Sequence, residues 1–115
     1  MKTKIITLLN KTFDRAITEN KKFFVIEFLK LLNANGYTVE KEVRHPFLEN
    51  AKVNFRVSKD GCSCWIELDN KTPRLRSIES IKSITDNDQC GFIYLRNSFV
   101  ASRKYLGLDV ISARR

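Results

Sequence analysis

Glu67 and Asp69 stand two residues apart in the run Trp65-Ile66-Glu67-Leu68-Asp69, and Lys71 follows two further on. In an extended chain that spacing puts side chains on one face, so two carboxylates and an ammonium group would be aligned. Aligned carboxylates repel, and an arrangement of this kind is either shown to water or used jointly. Oxygen donors converging from neighbouring strands suit a hard cation such as Mg2+ (or Mn2+), which takes carboxylates, carbonyls and water. A cation held there can make a nucleophilic water and stabilise charge building on a phosphate. The preceding run, Lys52 to Ser58, alternates Val53, Phe55 and Val57 with Asn54, Arg56 and Ser58. Asn54 is thereby expected across from Glu67, as a further oxygen donor on the same face.

Elements to position these groups are legible along the chain. Ile5, Leu9, Phe13 and Ile17 recur every four residues and predict an amphipathic helix over 3–17. A second helix over about 20–34 carries Phe23, Phe24, Val25, Ile26, Phe28, Leu29, Leu31 and Leu32, is expected to be largely buried, and closes at Asn35-Gly36. Tyr37 to Val43 reads as a strand stopped at His45-Pro46. The alternating run 52–58 and the run 62–69 are joined by the turn signal Lys59-Asp60-Gly61, which predicts a hairpin with Cys62, Cys64, Ile66 and Leu68 on one face and Ser63, Trp65, Glu67 and Asp69 on the other. Thr72-Pro73 is the signature of a helix N-cap with proline in the first turn, and Leu75, Ile78 and Ile81 carry the helix to Ile84. Cys90 to Leu95 is a nearly continuous apolar run, as in a strand covered on both faces. The tail is expected to hold a helical turn near Ala101–Tyr105 and an edge strand over Leu108–Ser112. The helix at 73–84 is long enough to return strand 90–95 parallel to strand 62–69. The fold class is therefore α/β (α+β), an αβββαβ order with a mixed sheet flanked by helices. One domain over 1–115 is expected, with an extra N-terminal helix, a core at about 20–95 and a C-terminal extension over 96–115.

Charge bears on partners. Lysine and arginine number 21 against 13 acids, a formal net charge of +8, and a basic surface gathers polyanions with strong salt dependence. Nucleic acid, DNA above all, is the expected partner. Lys71, Arg74 and Arg76 cluster at a predicted helix start, where backbone amides already favour an anion. Lys52 and Arg56 extend that patch, and Arg103, Lys104, Arg114 and Arg115 form an auxiliary one. These are backbone contacts that carry no base readout, so selectivity would be for nucleic-acid structure rather than sequence. No apolar run approaches the length of a membrane span, and a cytoplasmic location without a membrane partner is expected. The three cysteines, Cys62, Cys64 and Cys90, suit neither a disulfide framework nor a zinc knuckle and are read as reduced core thiols.

The element order together with these residues resembles the restriction-endonuclease-like, or PD-(D/E)XK, nuclease superfamily. The stretch Glu27 to Val39 also resembles the opening of its Holliday-junction-resolvase branch. The resemblance implies an aspartate on the second core strand and an acid-x-lysine motif on the third, together holding a metal and positioning water, sometimes with an acid from the preceding helix. Here Asn54 stands where the aspartate would be, Glu67 and Asp69 where the acid-x-lysine would be, Lys71 is shifted by two residues, and Glu27 lies on the preceding helix. The implied activity is metal-dependent endonuclease cleavage of DNA, with Asn54, Glu67 and Asp69 as metal ligands beside Glu27, Lys71 near the scissile phosphate, and a homodimer as one way to cut two strands. Asn54 removes one negative ligand, and Glu49 in the preceding loop is a substitute source of charge. The same residues also admit a degenerate nuclease that binds DNA, and a non-catalytic nucleic-acid-binding or protein-interaction domain on that scaffold. A plainer reading makes Glu67, Asp69 and Lys71 the solvated face of a hairpin, Glu27 an exposed partner of Lys30, and Trp65 a packing residue.

Overall fold

The computed structural model describes residues 1–12, 20–98 and 100–113. Among them are three helices, α1 (Lys2–Thr12), α2 (Lys21–Ala34) and α3 (Leu75–Asp86), and six strands, β1 (Thr38–Arg44), β2 (Lys52–Lys59), β3 (Cys62–Asp69), β4 (Cys90–Leu95), β5 (Arg103–Tyr105) and β6 (Leu108–Ser112). The continuation expected for the first helix over 13–17 lies outside the described residues, as do Arg114 and Arg115. The strands form one mixed sheet in the order β1-β2-β3-β4-β6-β5. β1, β2 and β3 are an antiparallel meander, β3, β4 and β6 run parallel, and β5 closes the far edge antiparallel to β6. The strand expected at the edge over 108–112 is thus an interior strand. The helical turn expected near 101–105 is instead β5, whose Arg103 and Tyr105 pair with Val110 and Leu108.

Strand alternation builds a core on each face. Phe55, Val57, Cys64, Ile66, Leu68, Phe92 and Tyr94 pack under Ile5 and Leu9 of α1 and Phe24, Phe28 and Leu32 of α2. Trp65, Ile93, Leu95, Leu108 and Val110 pack under Ile81 and Ile84 of α3. Phe28 meets Phe55 with ring centroids 4.5 Å apart, and Phe24 stacks on Tyr94 at 5.5 Å, aromatic contacts that fix how α2 lies on the sheet. Only one side of α2 is covered: Phe23 and Ile26 are exposed, so its apolar circumference does not mean burial all round. Asp60 and Gly61 both have positive φ, at 52° and 80°, the conformation a two-residue hairpin turn demands and Asp-Gly tolerates. At Gly91 a β-carbon would stand 3.2 Å from the Trp65 carbonyl and 3.4 Å from Ile81 and Ile84, so the missing side chain lets α3 sit close on β4.

One departure from simple alternation shapes the region of interest. Val53 belongs to the core under α3, whereas Phe55 and Val57 belong to the core under α1 and α2. The three were expected on one side, but the parity of β2 breaks between Val53 and Phe55. At the same level β1 is bent, with Glu42 at φ 51°. Neither Glu42 with Asn54 nor Asn54 with Glu67 is a ladder pair: the β1–β2 register skips one pair and resumes at Val43 and Val53, whereas the β2–β3 register ends at Phe55 and Ile66. β1 is an edge strand, with five of its seven residues exposed and Val39 and Val43 half-buried.

Candidate functional site

The broken ladder beside Asn54 is repaired by side chains. The Asn54 backbone N–H donates to Glu67 Oε1 at 3.1 Å, and the Leu68 N–H donates to Asn54 Oδ1 at 2.8 Å. Asn54 Nδ2 donates in turn to Glu42 Oε1 at 3.1 Å. Buried backbone groups need partners, and these two side chains supply them where β2 and β3 part. Asn54 and Glu67 are therefore neighbours, as expected, yet their side chains serve opposite sides of the sheet. Asn54 borders a groove with Lys21 and Val25 of α2, Lys41, Glu42, Phe55 and Leu68, while Glu67 alternates with Ile66 and Leu68 to face α3.

Glu67 is 0% exposed and Asp69 4%, so neither belongs to a solvated hairpin face. Burial is the main influence on Glu67 and pushes its pKa up. The Asn54 N–H, the Ser80 hydroxyl and the Arg76 charge oppose that rise, and Asp69 adds to it. Glu67 Oε2 and Ser80 Oγ are each buried and meet no partner at full hydrogen-bonding geometry.

Asp69 is committed differently. Its Oδ2 accepts the Arg74 backbone N–H at 3.0 Å, and its Oδ1 accepts Ser77 Oγ at 3.0 Å and is in contact with Arg74 Nε. Arg74 is the N-cap residue of α3 and makes no side-chain cap of its own. The helix thus starts two residues after the expected Pro73, and Asp69, reaching forward from the end of β3, supplies the acceptor that Thr72 was expected to provide. An anion at a helix start is favoured by the exposed amides and the dipole.

The remaining expected residues are dispersed. Lys71 is exposed in the loop between β3 and α3, Arg76 is exposed in the first turn of α3, and Lys52 is exposed at the start of β2. Arg56 lies over the Trp65 ring, 5.3 Å from its centroid, and pairs with Glu40 at 3.6 Å. Trp65 Nε1 donates to Gln89 at 3.0 Å, which makes Trp65 a packing residue. Glu27 pairs with Lys30 at 3.6 Å on α2, across the sheet from Glu67. Glu49 is exposed in the loop after His45.

As a cation site the donors do not fit. Asn54 Oδ1 and both oxygens of Asp69 already accept hydrogen bonds, Glu67 Oε2 alone is unpartnered, and among the described residues no three His, Cys, Asp or Glu side chains converge as a metal-holding group.

Cations gather instead at the carboxyl ends of β3 and β4. A cleft of about 230 Å³ is lined by Lys21, Leu68, Asp69, Asn70, Arg74 and Arg96. The loops that follow the two strands are tied by Arg96 N–H to the Asp69 carbonyl at 3.0 Å and Asn97 N–H to the Asn70 carbonyl at 2.9 Å. Lys21 opens α2 behind the N-cap Asn20, whose side chain accepts the Phe23 N–H. Lys21 also borders the groove beside Asn54 and a third depression with Lys22 and Lys41, so one lysine is common to all three clefts. Of the expected phosphate contacts only Arg74 lines any of them. Lys21, Lys41 and Arg96 were not singled out in the sequence, although Lys21 lies in the first turn of the helix expected from about 20 and Arg96 one residue past the strand expected over 90–95.

No protein-family model matches the chain. No curated protein is similar to it in sequence. Among the described residues no helix is long and apolar enough to cross a membrane.

Proposed function

We propose that this chain is a DNA-binding domain on a restriction-endonuclease-like scaffold, in which the acids of the former metal site hold the fold together. The observation that carries the reading is the cleft lined by Lys21, Arg74 and Arg96 at the carboxyl ends of two parallel strands, where open α/β sheets bind ligands. The order α2-β1-β2-β3-α3-β4, with β2 antiparallel to its neighbours and β4 parallel to β3, supports the scaffold. Such a cleft holds phosphates without reading bases, so binding is expected on double-stranded, single-stranded or branched DNA according to shape.

A metal-dependent endonuclease is the second reading, favoured by the unpartnered Glu67 Oε2 beside Asn54. It requires Asp69 to leave Arg74 and Ser77. Fluorescence anisotropy with the three DNA forms at low salt separates the two, alongside cleavage assays in Mg2+ or Mn2+ on the wild type and Asn54→Asp. Binding weakened by Lys21→Ala plus Arg96→Ala, and indifferent to divalent cations and to Glu67→Gln, supports the binding domain. Cleavage that depends on Glu67 replaces it with the enzyme.

A further inference from the structure

Cys64 and Cys90 are direct partners in the parallel register of β3 and β4, and their Sγ atoms are 2.8 Å apart, well inside ordinary van der Waals contact. Neighbouring strands stand about 4.7–4.9 Å apart, within the Cα separation of about 4.4–6.8 Å that a disulfide spans, so bonding the two sulfurs requires no rearrangement of the sheet. The environments are unequal. Cys64 is buried in the core under α1 and α2, whereas Cys90 is only partly covered at the start of β4. The sulfurs share one hydrogen bond. Among the described residues no third His, Cys, Asp or Glu joins them as a metal set.

We propose that Cys64 and Cys90 form a peroxide-sensitive dithiol, with Cys90 as the attacking sulfur and Cys64 as the resolving one. Charge placement agrees with that division. The hydrogen bond with Cys64 holds Cys90 down at about 7 and the Lys2 ammonium assists, against burial and the Asp109 carboxylate. The same contact and burial push Cys64 up. Reactivity follows thiolate character and access. Lys2 is kept in place by its ion pair with Asp109 of β6.

The chemistry balances with a hydroperoxide as oxidant. The Cys90 thiolate attacks the terminal peroxide oxygen; an S–O bond forms, the O–O bond breaks, and the leaving alkoxide or hydroxide takes up a proton. Cys64 then gives up its proton and attacks the Cys90 sulfur, forming S–S and expelling the hydroxyl as water. Two thiols are oxidised by two electrons and one peroxide bond is reduced, and a thiol reductant reverses the change.

The experiment is titration of the folded full chain with hydrogen peroxide, followed by denaturation, alkylation, intact mass and peptide mapping. Expected are a loss of about two mass units before alkylation, a fall by two in alkylatable cysteines from the three in the sequence, and a Cys64–Cys90 linked peptide that dithiothreitol removes. In Cys64→Ser a sulfenic acid trapped by a 1,3-diketone should map to Cys90, and Lys2→Ala should slow the oxidation several-fold. Because Cys64→Ser alters the core, mapping of the wild type decides the matter independently. Oxidation of the exposed Cys62 ahead of the pair, or three intact thiols in excess peroxide, overturns the proposal.

Discussion

The Asn54 N–H and Glu67 Oε1, 3.1 Å apart, join β2 to β3 where the main-chain ladder has opened. This contact gives Glu67 a structural task inside the sheet and leaves its second oxygen buried with no partner. Ionising that carboxylate costs desolvation that the Asn54 N–H, the Ser80 hydroxyl and the Arg76 charge only partly offset.

The consequence is a pH dependence with a definite sign. Burial raises the Glu67 pKa above its ordinary 4.5, so the unfolded chain ionises first. Stability contributed by Glu67 is full below the unfolded value and declines as pH rises through the folded one. Glu67→Gln keeps an acceptor for Asn54 and does not titrate. Urea midpoints measured from about pH 4 to about pH 8 should show the wild type losing ground to the variant as pH rises. A wild type that gains instead contradicts the assignment.

Asp69 should behave as a helix anchor. Asp69→Ala removes the acceptor for the Arg74 N–H and Ser77 Oγ together, an expected loss of about 2–3 kcal/mol. Asp69→Asn retains an oxygen and should cost less. Chemical denaturation checks the order of the two variants, and hydrogen exchange at the first turn of α3 should accelerate in Asp69→Ala.

Charge removal in the cleft has a quantitative reading. Each phosphate contact contributes about 0.9 to the slope of log K against log salt on B-DNA. Lys21→Ala with Arg96→Ala should therefore flatten that slope by about 1.8, while Lys52→Ala, outside the cleft, leaves it near the wild-type value. Anisotropy titrations over a range of salt concentrations provide the measurement.

His45 holds the loop between β1 and β2. Its Nδ1 accepts the N–H groups of Phe47 and Leu48, each at 3.0 Å, and its Nε2–H donates to the Ser80 carbonyl at 3.0 Å. His45→Ala leaves these groups without their partner, at a cost of about 2 kcal/mol. Limited proteolysis should then open the chain near Phe47 and Leu48, which are already exposed; unchanged resistance would count against the anchoring role.

Strands β1 to β4 and the turn at Asp60-Gly61 were legible because alternation and punctuation are local properties, whereas β5 was read as a helical turn because its three residues are too few to show alternation. Val53 escaped because the break in β2 depends on the bent partner at Glu42 and on side chains that replace ladder bonds. Asp69 escaped for a related reason: a carboxylate that caps a helix from five residues upstream looks, in sequence, like one more member of an aligned acidic pair. Phe23 and Ile26 mark the limit of composition, since an apolar residue is not thereby covered. The basic lining of the clefts was invisible because Lys21 on α2, Lys41 on β1 and Arg96 after β4 are far apart in sequence and are brought near one another only by the tertiary fold.

The bend at Glu42 has one more effect. β1 offers its outer edge to solvent, and a straight edge of that kind would template another chain. The positive φ interrupts its row of amides, and Glu40, Lys41, Glu42 and Arg44 add charge of both signs along it. An incoming strand would meet a broken hydrogen-bonding register and buried-charge costs, so fibrillar growth from this margin is opposed by the same distortion that turns Asn54 towards Leu68.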